Sequence, residues 1–234
     1  MSGERPVILL AAHGERGGAA NNARLAGLVE EIGALVPEAD VGSVLVSVEG
    51  LVAATLDACG SRLVVCLPLL FSDGYFYSER VKPHFDDGLH RLGKPLAMWP
   101  GFAPFLADNL ALRLISRSSD PRVVLVAHGS KTSDRPADAA RRVAAQMQAR
   151  YGRVEVGFLE QAPFAADVIR DVEAPYTAVG LFLGAGLHGA DDFDRLVATA
   201  PSVAAAAFTV GELPGLAALA AAEARSMLRL SAWK

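Results

Sequence analysis

The sequence predicts an α/β protein of two similar lobes, each a small parallel sheet flanked by helices, facing a central cleft. Three observations carry this expectation. Short, continuous, β-branched apolar runs alternate with amphipathic patterns of helical length, the signature of βαβ units and of strands buried on both faces. The segment VILLAAHGE at the start of the chain returns as VVLVAHGS, with His13 and His128 lying 115 positions apart. A polar stretch, Ser116–Pro121 (SRSSDP), falls between the two copies. A repeat that long is a duplicated domain rather than a solenoid unit, so residues 1–116 form one expected lobe and residues 121–234 the other.

In the first lobe the expected strands are Val7–Ala12, Val41–Val48, Leu63–Phe71 and Leu96–Trp99. In the second they are Val123–Ala127, Val154–Leu159, Ala178–Leu183 and Val203–Val210. Asn22–Leu35 places Leu25, Leu28, Val29, Ile32 and Leu35 on one helical face. Pro136–Tyr151 does so with Ala140, Val143, Ala144 and Met147, and its proline suits a first helical turn. The offset of 115 also lays Val41-Gly42 on Val156-Gly157, and PGFAPFLADNLALRL at 100–114 follows the same plan as GELPGLAALAAAEARSML at 211–228. In open α/β sheets ligands bind beyond the carboxyl ends of the strands, which directs attention to the strand ends.

Composition narrows the function classes. Of the 234 residues 52% are hydrophobic and 21% charged, enough for a well-cored globular chain. A net charge of −4 and the lack of any Lys/Arg run predict no nucleic-acid or membrane partner. The apolar run near the N-terminus is too short for a signal peptide, and the Ala-rich tail is broken by Gly211, Glu212, Pro214 and Gly215. Two cysteines, Cys59 and Cys66, make no disulfide framework. A cytoplasmic protein, monomeric with two internal lobes, is expected. No G-x-G-x-x-G follows either first strand and no P-loop occurs, against a nucleotide-binding role.

Three strands of the second half each deliver one ligand-type side chain to the same edge. His128 follows Val123–Ala127, Glu160 closes VEVGFLEQAP, and His188 follows AVGLFLGAGLH with its Gly184 and Gly186. Two imidazoles and a carboxylate can hold a first-row divalent metal with positions left open. They can equally accept protons from a substrate. A plainer alternative makes Glu160 a cap for a helix starting near Pro163 and His188 a surface loop residue.

Taken together, VLVAHGSK, VEVGFLEQAP and LFLGAGLHGADDF resemble the CbiX/SirB-type sirohydrochlorin chelatases of the class II tetrapyrrole chelatase family, in its tandem-duplicated form. That resemblance implies ATP-independent insertion of Co2+ or Fe2+, with Ni2+ a further option, into sirohydrochlorin or a related tetrapyrrole for cobalamin or sirohaem synthesis. The metal is then a substrate and no organic cofactor is needed. His128, His188 and Glu160 would be the metal-handling and proton-accepting residues. His188 would be oriented by Asp191 and Asp192, which stand where the family has acidic residues.

The first lobe departs from the pattern. His13 is present and joins the catalytic candidates, but the position 115 before Glu160 is Leu45, and aligning Gly74 with Gly186 puts Phe76 in the place of His188. Glu49 is the nearest carboxylate to Leu45. The expectation is a division of labour, with the second lobe supplying the metal and proton chemistry and the first a wall for the macrocycle. Tyr75 and Phe76, with Tyr77 beside them, are the candidate contacts to the ring. Arg16, Arg80, Lys82, Lys131 and Arg135 follow the strand-end motifs and are candidates for its carboxylates, Lys131 foremost. A chain with one reduced half-site can also be a non-catalytic tetrapyrrole- or metal-binding protein derived from a chelatase.

Overall fold

The computed structural model describes residues 4–14, 23–85, 88–113, 122–172, 176–183, 188–200 and 204–229, with the backbone alone for 188–191 and 204–205. The chain forms two compact units, residues 1–99 with 215–234, and residues 100–214.

The first unit is built on a parallel sheet of four strands in the order β2-β1-β3-β4, comprising β1 Val7–Ala12, β2 Asp40–Leu45, β3 Val64–Pro68 and β4 Arg91–Leu92. All six residues of β1 are buried, as a central strand covered on both faces requires. Helix α1 (Ala23–Leu35) buries Leu25, Leu28 and Ile32, and α2 (Leu51–Cys59) buries Val52, Leu56 and Cys59. Leu96–Trp99, expected as a strand, is instead a 3-10 turn over Leu96–Met98. The fourth strand is the two-residue Arg91–Leu92, which carries little of the apolar run that betrays a strand in sequence. Cys66 lies in β3 with its thiol fully buried, and burial pushes its pKa up, so it stays protonated and is no metal ligand.

The second unit repeats the plan in the order β6-β5-β7-β8, with β5 Arg122–Ala127, β6 Arg153–Phe158, β7 Tyr176–Gly180 and β8 Ala204–Thr209, all parallel. Helix α4 (Arg135–Tyr151) has Pro136 in its first turn, where no N–H is needed, and Asp138 near its N-terminus and Arg150 in its last turn, which complement the helix dipole. Helices α5 (Ala165–Asp171) and α6 (His188–Thr199) complete the βα units. Gly157 of β6 is required by close packing, since a Cβ there would stand 2.6 Å from the Ala165 Cα of α5.

The two terminal helices do not follow the expected division at Ser116–Pro121, a stretch that lies outside the described residues. Helix α3 (Phe102–Arg113) belongs to the unit of β5–β8 and packs on α4, where Tyr151 Oη donates to Ala107 O and Arg150 pairs with Asp108. Helix α7 (Leu216–Arg229) belongs to the unit of β1–β4 and packs on α1 and β3. Its Arg225 donates to Glu38 Oε1 at 2.9 Å and to Leu35 O at 2.6 Å. Each half of the sequence thus supplies the closing helix of the other unit. Among the described residues no helix is long and apolar enough to cross a membrane.

Candidate metal and proton-transfer site

In both sheets the chain reverses direction between the first and third strands of the unit, β1/β3 and β5/β7. Such a switch point opens a crevice beyond the carboxyl ends of the strands. His128 is the first residue after β5, Glu160 comes two residues after β6, and His188 opens α6 after β7.

Backbone pairing carries the first two together. Past the end of the strands Leu159 N–H donates to Ala127 O and Glu160 N–H to His128 O, both at 3.0 Å. His128 Nδ1 then lies 3.7 Å from Glu160 Oε2, with both side chains about half exposed. That is an ion-pair separation, longer than a hydrogen bond, so neither group is consumed by the other and both keep lone pairs for a ligand. Glu160 is no helix cap, for α5 starts at Ala165 behind an extended Phe164 with no side-chain cap bond. The side chain of His188 is outside the described residues. Among the described residues no three His, Cys, Asp or Glu side chains gather at metal-binding spacing. Asp192 pairs with Arg195 at 3.6 Å, and the Asp191 side chain is not described.

Register corrects two of the correspondences between the lobes. Ala12 pairs with Leu45, while its counterpart Ala127 pairs with Phe158. The connection from the first strand of the unit to the second is two residues longer in the first lobe, so Leu45 answers to Phe158 and Ser47 stands where Glu160 does. Likewise Val41-Gly42 answers to Val154-Glu155, not to Val156-Gly157. A constant offset of 115 hid this because it holds for the first strands alone. Leu10 pairs with Leu67 and Leu125 with Val179, a register that keeps Phe76 at the position equivalent to His188.

The first lobe presents a different surface at the same edge. His13 Nδ1 is 2.9 Å from Gly14 O. A carbonyl only accepts, so the neutral ring carries its proton on Nδ1 and leaves Nε2 as a base. Phe76 meets the His13 ring at 4.3 Å and Tyr75 lies 5.4 Å from Phe76. Phe76 begins the π-helical turn Phe76–Val81, and Tyr75, just before it, is largely exposed. The Arg80 guanidinium sits 5.8 Å over the Tyr75 ring and 3.4 Å from Glu49, while its buried Nε has no partner among the described residues. Lys82, Lys131 and Arg135 are exposed, and Arg16 is outside the described residues. Sequence reasoning missed Gln161, whose side chain binds the Ser130 amide at 2.7 Å. A lone glutamine beside a candidate carboxylate carries no periodic or charge signal.

The comparisons with known proteins bear on the fold and its relatives. Residues 122–224 match the family model described as CbiX. No curated protein sequence matches the chain. Among solved structures, CbiX, the terminal enzyme of sirohaem biosynthesis in denitrifying bacteria, aligns with a TM-score of 0.78 at 26% identity, over 95% of this chain and 99% of its own. SirB from Bacillus subtilis with Fe3+ aligns at 0.75 and 18% identity, over 99% and 98%. The sirohydrochlorin chelatase SirB from Bacillus subtilis subspecies spizizenii, in complex with cobalt, aligns at 0.69 and 16%, over 97% and 96%. The last two speak for the fold, and the first also for a sequence relation along nearly the whole length. The match of residues 122–224 by sequence and of the full length by fold supports a CbiX-type chelatase.

Proposed function

We propose that this protein inserts a divalent metal, Co2+ or Fe2+, into sirohydrochlorin or a related tetrapyrrole without ATP, at the strand ends of the second lobe. The observation that carries the reading is the approach of His128 Nδ1 to Glu160 Oε2 at 3.7 Å, beside the switch point at which His188 starts α6. In this reading the metal is substrate, held by His128, Glu160 and His188 through nitrogen and oxygen ligands. Such ligands bind first-row ions firmly enough to present them and, unlike thiolates, loosely enough to release them. The ring must shed its inner N–H protons as the metal enters. Imidazoles that exchange protons near neutral pH, backed by a carboxylate, are suited to receive them.

The first lobe contributes His13 as a further base, through Nε2, and Tyr75 and Phe76 as flat apolar contacts for the macrocycle. Lys131, exposed just beyond the His128 turn, pairs with a substrate carboxylate. The protein acts in the cytoplasm as a monomer, in keeping with its net negative charge and two buried free thiols. The test is to mix the purified protein with sirohydrochlorin and Co2+ or Fe2+ and follow the ring's absorbance. Acceleration over the spontaneous rate supports the enzyme, whereas binding of ring and metal without acceleration identifies a carrier.

A further inference from the structure

We infer that Gln161 is a positioning residue for the His128/Glu160 pair, an inference that rests on the chelatase reading of that pair. The ladder between β5 and β6 runs on through Leu159 and Glu160, whose amides bond to Ala127 O and His128 O. There it stops, because Gly129 turns into the left-handed region at φ 75° and carries the following amide off the strand line. That amide, Ser130 N–H, would be left without its ladder acceptor. The Gln161 side chain takes it, Oε1 accepting at 2.7 Å. The same side chain packs on the turn, so a Cβ at Gly129 would stand 2.9 Å from Gln161 Cγ.

His128 is therefore fixed on both sides. Its own carbonyl is tied to the Glu160 amide, and the turn two residues on is tied to Gln161, the neighbour of Glu160. One short loop thus carries the carboxylate and holds the histidine against it. Without the side-chain bond, the His-Gly-Ser turn keeps only the inner backbone tie, and the 3.7 Å separation of the two functional groups loses its outer anchor. The first lobe supports this reading independently. There Gly14 N–H donates to Ser47 Oγ at 3.2 Å, again tying the His-Gly turn to the loop after the neighbouring strand. The residue differs, its place in the loop differs, and Ser47 rather than a carboxylate holds the Glu160 position, yet the tie is present beside the histidine. It serves the placement of the imidazole.

The experiment compares wild type, Q161A and Q161E by the amide resonance of Ser130, Co2+ affinity and steady-state metal insertion. In Q161A the Ser130 amide proton moves upfield, and kcat falls about tenfold, the scale for losing a group that orients a metal-handling residue. KM for the tetrapyrrole changes less than kcat, because Tyr75 and Phe76 lie outside this turn and Lys131 alone follows it. Q161E, whose carboxylate accepts the same N–H, restores the amide shift and most of kcat. Wild-type kcat in Q161A, an unmoved Ser130 amide, or equal losses in Q161A and Q161E would overturn the inference. If the wild type inserts no metal, the proposed function fails instead, and Co2+ affinity decides for Gln161. Weakening of about tenfold in Q161A that Q161E reverses then supports the positioning role, and unchanged affinity overturns it.

Discussion

The rings of His13 and Phe76 meet edge to face, 4.3 Å between centroids and 89° between planes, where the second lobe carries His128 and His188. Phe76 at the position of His188 thus separates a one-histidine edge from a two-histidine edge. Phe76→His should place a second imidazole beside the free Nε2 of His13 and create a further, weaker Co2+ site. Calorimetric titration should show one Co2+ per wild-type chain and two per variant chain. A stoichiometry that stays at one would mean that the first lobe cannot assemble a site even with both histidines.

The two lobes should also differ in what their histidines contribute. Under the proposed function His188→Ala would remove a ligand and a proton acceptor, so metal insertion should fall by about 10²–10⁴-fold, the usual range for such a group. His13→Ala should cost no more than about tenfold, because among the described residues no carboxylate or second imidazole lies beside His13. Initial rates at saturating metal measure both. Equal losses would assign one shared reaction centre to the two histidines.

Gly129 is the conformational hinge of the functional turn. At φ 75°, with Gln161 Cγ and Phe158 Cβ 2.9 and 3.0 Å from any added Cβ, Gly129→Ala should lower stability by about 1–3 kcal/mol in denaturant unfolding. Gly42→Ala, in β2 with nothing within 4 Å of its Cβ, is the control and should leave stability unchanged or raise it slightly.

Helix α7 reports on acid. The hydrogen bond from Arg225 holds the Glu38 carboxyl below its ordinary value of 4.5. A carboxyl whose pKa is lower in the folded state stabilises the fold above its unfolded pKa, and that contribution is lost as the pH falls through the folded value. The pair is exposed, so the effect is small. The thermal midpoint of wild type should exceed that of Glu38→Gln at pH 7, and the gap should begin to close near pH 4.5. A gap independent of pH would show that the charge on Glu38 does not hold α7.

Much of this architecture is legible in the sequence because it depends on local signals. The run VILLAA marks β1 to the residue, and Pro136 and Met147 lie within the helix their spacing predicts. What could not be read depends on partners. Phe102, Leu106 and Leu110 define an apolar face equally well whichever sheet they cover, so periodicity says nothing of which unit α3 joins. Arg91–Leu92 is a strand only because β3 lies beside it. The counterpart of Glu160 was misplaced for a similar reason. Register is set by hydrogen bonds such as Val46 N–H to Ala12 O and Leu159 N–H to Ala127 O, and an added pair of residues in a connection leaves no mark on the apolar pattern.

The central claim is that the edge carrying His128, Glu160 and His188 places a metal in a tetrapyrrole. The most direct measurement is the absorbance change of sirohydrochlorin with Co2+ or Fe2+, run side by side with wild type and His128→Ala. The account predicts that wild type accelerates insertion well beyond the spontaneous rate and that His128→Ala returns it close to that rate. No acceleration by wild type with either metal, or full activity in His128→Ala, would contradict it.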